Sequence, residues 1–224
     1  MANLSDLIAQ NTSDNPQKLV NLALATQMMG SGSGLGGTNY VFVRGDGTPE
    51  ENAAELQEAY NEAKSLSPFK GEELDLVGFT FSIGDIFLGD DEQYYKVLQE
   101  FTFDGDFGSL GPKITNMSVA DIPIVIVIVA PGTYTFGGTK FPVNTPYINI
   151  VSLTGNADVI LDGINVTANN VYLKGLNCGT KSFTIAGNLD GLVCENCTGG
   201  VNSFGGYGTA SGNFTNCTGG EYSF

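Results

Sequence analysis

Apolar and polar positions change their period several times along this 224-residue chain. Leu4, Leu7 and Ile8 make a short face at helical spacing, and a second apolar stretch runs from Leu19 to Met29, with Asp14 or Asn15 before Pro16 at its start. These predict a helical segment over residues 1–29. Residues 30–38 open with GSGSGLGG, a flexible linker by composition. Tyr40 to Val43 is a β-run, and Gly45-Asp46-Gly47 is a turn. Thr48 is then an N-cap, Pro49 suits the first helical position, and Glu51 completes a capping box. Ala53, Leu56, Tyr60 and Ala63 recur on one helical face, so residues 39–67 predict strand, turn and amphipathic helix.

Residues 68–118 are acidic and rich in Phe and Gly. They predict strands around Phe79–Phe81 and Phe101–Phe103 and a short helix across Asp91–Glu100. From Ile122 the pattern changes again. The run IVIVIV is apolar throughout, as in a strand buried on both sides or leading into a core. Short β-branched runs then alternate with Gly and Asn turns: YINIVSL, ADVILDG, INVTANNVYLKGL, SFTIAGNLDGLVCEN and GNFTN. No helix long enough for a crossover separates them. Residues 119–224 therefore predict the coils of a parallel β-helix.

A repeat suggests the length of one coil. Asn177-Cys178, Asn196-Cys197 and Asn216-Cys217 lie 19 and 20 residues apart, and Phe183, Phe204 and Phe224 follow at similar intervals. A single coil buries too little apolar surface to stand alone, so coils stack and like residues fall above like. Columns of inward Cys, of inward Phe and a ladder of Asn amides bonded from coil to coil are expected. Cys194 and Cys197 form a CxxC, but in a strand-and-turn repeat rather than at a helix start. With no His in the chain, buried thiols are expected there in place of a zinc or redox site.

Charge narrows the function. Nine Lys and Arg stand against 24 Asp and Glu, a formal net charge of −15, which repels nucleic acid and anionic membranes; neither is an expected partner. The absence of His removes the commonest general base and every triad built on it. No metal or other cofactor is expected. Asp104-Gly105-Asp106 has calcium-ligand chemistry, but a turn is the simpler reading. Asn-x-Ser/Thr triplets at Asn165 and Asn213 carry no weight without a secretory route. The start MANLSDLIAQ has no basic leader before an apolar core, so synthesis in the cytoplasm and no membrane insertion are expected.

The order strand, Gly45-Asp46-Gly47-Thr48, helix with Ala54, Leu56-Gln57 and Ala59, and then Pro131-Gly132-Thr133-Tyr134 resembles the start of pectate-lyase-like β-helix proteins, above all bacteriophage tail fibres and tailspikes. The resemblance covers residues 39–67 and 119–224; the intervening 68–118 departs from the usual short spacing. It implies a right-handed single-stranded parallel β-helix whose N-terminal helix caps the open end. It further implies a homotrimer and a structural virion protein, with residues 1–29 anchoring it to other virion proteins at the tail or capsid surface; a helix docked on the following domain is the other reading of that segment. The β-helix would present a tip to a host receptor or surface glycan. The family also contains polysaccharide lyases and glycoside hydrolases, but acids are sparse in the stacked region and no pair recurs one coil apart. No catalysis is therefore expected of this chain, and Asp158 and Asp162 are the only candidates for it; a cellular surface adhesin is a third reading. Because no capping sequence follows Phe224, the chain is expected to continue beyond it.

Overall fold

The cap is specified by its own sequence. In a computed structural model that describes residues 39–185, 189–204 and 212–221, β1 (Asn39–Val43) leads through the Gly45–Gly47 turn into α1 (Pro49–Leu66). The helical anchor and linker expected over residues 1–38, and Phe224, lie outside the described residues. The capping box forms as expected: the Thr48 side chain accepts from the Glu51 N–H at 3.3 Å, and Glu51 Oε2 accepts from the Thr48 N–H at 2.9 Å. Both bonds satisfy donors that a helix start otherwise leaves unpaired. The buried face of α1 holds Ala53, Leu56, Tyr60 and Ala63, joined by Asn52 and Ala59.

That face closes one end of a parallel β-solenoid of about four turns. The turns pair through three parallel sheets, the first of six strands and the other two of three each. The first sheet runs β1, β8 (Val125–Val129), β11 (Ile148–Ser152), β14 (Tyr172–Lys174), β17 (Val193–Glu195) and β18 (Asn213–Thr215). The second joins β9 (Gly132–Tyr134), β12 (Val159–Leu161) and β15 (Leu176–Asn177), and continues as single bridges at Thr198 and Thr218. The third joins β10 (Phe141–Val143), β13 (Ile164–Val166) and β16 (Phe183–Ile185).

In-register pairing makes the core a set of columns. Val41, Val127, Ile150, Leu173, Cys194 and Phe214 follow one another up the first sheet. Phe141, Ile164 and Phe183 do so in the third, and the rings of Phe183 and Phe204 meet at 4.6 Å. In the IVIVIV run Val125, Val127 and Val129 are fully buried, whereas Ile124 is exposed and Ile126 half-buried, so the strand turns one face to the core and its other face is only partly covered rather than buried on both sides.

The register corrects the repeat. Val127 pairs with Ile150, Ile150 with Leu173, Leu173 with Cys194 and Cys194 with Phe214, so successive turns advance 23, 23, 21 and 20 residues. Asn196-Cys197 and Asn216-Cys217 are true register partners, since Thr198 bridges Thr218. Asn177-Cys178 is not: Asn177 bridges Thr198, so Leu176 stands in the Cys197 position. The position of Asn196 belongs to Gly175, and both have left-handed backbone, as does Asn216 (φ 72°, 53° and 52°). What recurs here is a corner that needs a residue tolerant of positive φ, a role Gly and Asn share. Nor do the amides of Asn177 and Asn196 bond one another. Asn177 Nδ2 donates to the Ala157 carbonyl at 3.1 Å and Asn196 Nδ2 to the Gly155 carbonyl at 2.9 Å, tying corners to the loop after β11.

The 68–118 segment folds around its own aromatic core. β2 (Phe69–Glu72), β4 (Ile86–Leu88), β5 (Tyr94–Val97) and β7 (Ile114–Met117) form one sheet, and β3 (Thr80–Phe81) pairs antiparallel with β6 (Phe101–Thr102). The strands expected near Phe79 and Phe101 are present. The helix expected over Asp91–Glu100 is not. In its place Tyr95 and Val97 are buried while Lys96 is exposed, an alternation of period two that suits β5 and its two antiparallel neighbours. A turn with Glu92 at φ 61° breaks any helix start before it. Phe81, Phe87, Phe101, Phe103, Tyr95 and Leu110 fill this second core.

Candidate functional site

Where the 68–118 segment rejoins the ladder, Ile122 closes a small third core with Ile86 and Tyr147, and Phe69 and Tyr94 pack against it. Tyr147 sits at a corner of the ladder with a left-handed backbone (φ 61°). Its hydroxyl donates to Tyr94 Oη at 2.5 Å and accepts from Asn170 Nδ2 at 3.1 Å. Burial, reinforced by the Tyr94 hydroxyl, raises its pKa, so it remains a neutral phenol across the physiological range. Asn170 occupies the next turn of the same corner (φ 53°) and Gly191 the one after (φ 67°).

Beside this joint runs an open cleft of about 280 Å³. Val119, Ala120, Ile122 and Ile124 form one wall. Tyr147, Asn149, Asn170, Tyr172 and Gly191, from three successive turns, form the other. Val119 and Ile124 are exposed apolar side chains at its lip. Among the described residues no charged side chain lines it, although the molecule as a whole is strongly acidic.

A charged cluster abuts the cleft through Tyr172. On the outer face of the first sheet the Tyr172 hydroxyl donates to Glu195 Oε2 at 2.5 Å, and Lys174 Nζ lies 2.8 Å from Glu195 Oε1. Register forces the meeting, because Lys174 pairs with Glu195 one turn on. The Lys174 ammonium and then the Tyr172 hydroxyl hold the Glu195 carboxyl below its usual range, while Glu195 holds Lys174 above its own. Asn149 Oδ1 accepts from the Tyr172 N–H at 2.9 Å, which fixes the strand that carries the tyrosine.

The two carboxylates singled out in the sequence lie elsewhere and are occupied. Asp158 accepts from Ser152 Oγ at 2.6 Å and from Thr154 Oγ1, bracing the loop after β11. Asp162 accepts from the Phe136 N–H at 2.9 Å and from the Gly138 N–H at 3.4 Å, holding the turn between β9 and β10. Asp104 and Asp106 each accept from a backbone N–H two residues on, which is turn chemistry. Among the described residues no group of three or more Cys, Asp or Glu is arranged to hold a metal ion. Cys178, Cys194 and Cys197 are buried free thiols.

The turn of Gly45, Asp46, Gly47 and Thr48 meets the segment 131–133 at the cap through Gly132, whose Cα faces the Gly45 carbonyl. Asn52 joins them, accepting from the Gly47 N–H at 2.8 Å and donating to the Thr133 carbonyl at 3.1 Å. These residues hold the solenoid end closed and are remote in chemistry from the cleft. The cleft residues themselves escaped the sequence reading. Setting VYLKG (171–175) over LVCEN (192–196), at a spacing of 21, places Lys174 over Glu195; the NCTGG spacing hides this. No protein-family model, curated protein or solved structure matches the chain. Among the described residues no helix is long and apolar enough to cross a membrane.

Proposed function

We propose that this chain is a structural fibre protein of a virus particle, of the phage tail-fibre or tailspike kind. In this reading residues 1–29 attach it to the particle, and a homotrimer of right-handed ladders carries a host-receptor or glycan-binding surface outward. Right-handed connections are the strong preference between parallel strands of one sheet. A ladder with a continuous core suits the task, because adjacent turns share columns and resist bending.

The observation that carries the binding role is the cleft. It presents tyrosines, asparagine amides and an apolar wall, with no charge among its lining residues. Such a surface offers a ring face for stacking and amides for hydroxyl groups, the needs of a neutral sugar. The test is calorimetric titration with host surface polysaccharide, comparing the native chain with Tyr172→Ala and Asn149→Ala. A tenfold or greater loss of affinity in both supports the reading; equal affinity in all three removes the cleft from it. Mass spectrometry of purified virions and light scattering of the isolated chain test the particle and the trimer. A stable monomer absent from virions would leave no fibre to propose.

Tyr172, Lys174 and Glu195 favour one second reading, a polysaccharide depolymerase. They place a carboxylate, an ammonium and a phenol together beside the cleft, and acid–base chemistry needs such a group within reach of substrate. On this reading Glu195→Gln abolishes release of new sugar ends from the polysaccharide, while Asp158→Asn and Asp162→Asn leave it intact.

A further inference from the structure

Cys197 and Cys217 bond to corresponding carbonyls one turn of the ladder apart. Cys197 Sγ donates to the Leu173 carbonyl at 3.6 Å and the Glu195 carbonyl at 3.4 Å. Cys217 Sγ donates to the Cys194 carbonyl at 3.4 Å and the Thr215 carbonyl at 3.5 Å. Leu173 and Cys194 are register partners, and so are Glu195 and Thr215. The Thr198–Thr218 bridge that follows sets the two cysteines side by side. In-register parallel strands stand about 4.8 Å apart. That separation of backbones falls inside the range of about 4.4–6.8 Å between Cα atoms that a disulfide spans. The two thiols differ in access: Cys197 is fully buried and Cys217 is half-buried.

We infer that Cys197 and Cys217 form an oxidation site, a covalent staple between adjacent turns that closes when a small-molecule disulfide reaches Cys217. This inference does not depend on the fibre reading. The Cys217 thiol loses its proton to solvent and its sulfur attacks one sulfur of the reagent, breaking that S–S bond and releasing one small thiol. Cys197, its proton also lost to solvent, then attacks Cys217 Sγ; the Cys197–Cys217 bond forms and the second small thiol leaves. Two electrons pass from the protein to the reagent, which is reduced to two thiols. The step needs a side-chain rotation at Cys217 and an approach of the two Cβ atoms by a few tenths of an ångström, but no change of register. Cys178 stands apart from the pair, because its position in the next turn is Gly199.

Contact with Cys194 and burial push the Cys197 thiol up to about 12, and contact with Cys197 raises Cys217. The staple therefore closes slowly at neutral pH and about tenfold faster per pH unit above it, as the thiolate fraction grows. The experiment treats the full folded chain with oxidised glutathione at pH 8.5, blocks free thiols, and maps cross-linked peptides without reduction. The expected product has lost two hydrogens and joins Cys197 to Cys217. Cys217→Ser abolishes it and Cys178→Ser does not. A Cys194–Cys197 link, a stable glutathione adduct on Cys217, or four unmodified thiols would each overturn the inference. Repeating the oxidation in denaturant separates the effect of register from that of sequence, since an unfolded chain yields mixed pairings.

Discussion

The Tyr134 hydroxyl fills the space that a side chain on Gly45 would need, and from there it donates to the Ala130 carbonyl at 2.7 Å. Gly45 also has φ +64°. Gly45→Ala thus combines a strained backbone with displacement of a buried hydroxyl, and we expect a loss on the order of 3 kcal/mol in urea unfolding. Tyr134→Phe removes the obstructing oxygen. The double variant should then lose about 1 kcal/mol less than the two single losses together. Strict additivity would show that the two residues do not compete for that space.

The cap was legible in the sequence for a local reason. Thr48, Glu51 and the face of Ala53, Leu56, Tyr60 and Ala63 are local signals, and local hydrogen bonds realise them. The solenoid was legible for a related reason: short β-branched runs with no crossover helices leave few alternatives. The register was not. Gly175, Asn196 and Asn216 share a corner because of backbone conformation, and chemically unlike residues meet that need. The eye follows Asn-Cys and is drawn to Asn177, two residues out of place. The cleft was hidden for the same reason, because Tyr147, Asn170 and Tyr172 come together only once the turn lengths of 23 and 21 are known. Over Asp91–Glu100 a strand forms in place of the expected helix because Tyr95, Lys96 and Val97 alternate between core and solvent.

Tyr147 holds the joint between the 68–118 segment and the ladder. Tyr147→Phe keeps the ring and its packing against Phe69 but deletes the oxygen shared with Tyr94 and Asn170. A cost of about 1–3 kcal/mol is expected. Amide exchange should quicken locally in Tyr94–Val97 and Ile114–Met117, with the β8 and β11 amides unchanged. Uniform acceleration across the chain would instead mark a general loss of stability.

Burial, as its largest cause, raises Cys178 to about 12 against an ordinary value near 9. The folded chain therefore keeps a proton that the unfolded chain releases. The associated stability is fully present below pH 9 and is lost as pH rises from about 9 to about 12. Within that window the slope per thiol approaches about 1.4 kcal/mol per pH unit. Cys178→Ala should flatten the fall of unfolding free energy between pH 9 and 10.5 relative to the native chain, while losing some packing at pH 7. Parallel curves for the two proteins would show that Cys178 does not titrate differently on folding.

Asn196 and Asn177 provide the sharpest test of the register, because the sequence repeat treats them as equivalent and the ladder does not. Each amide donates to a carbonyl of the loop after β11, so each loses about 1 kcal/mol on replacement by Ala. Asn196 alone sits at positive φ, so Asn196→Ala adds roughly 1–2 kcal/mol of backbone strain. Glycine separates the two positions further. Asn196→Gly relieves the strain, and Gly175 shows that the corner accepts glycine, so this variant should be more stable than Asn196→Ala. At Asn177, in the strand position of β15, Gly frees the unfolded chain without any relief and should be less stable than Ala by about 0.5–1 kcal/mol. Urea midpoints of the four variants decide the matter. If glycine ranks below alanine at Asn196, the corner column is misassigned; if it ranks above alanine at Asn177, that residue belongs to the column after all.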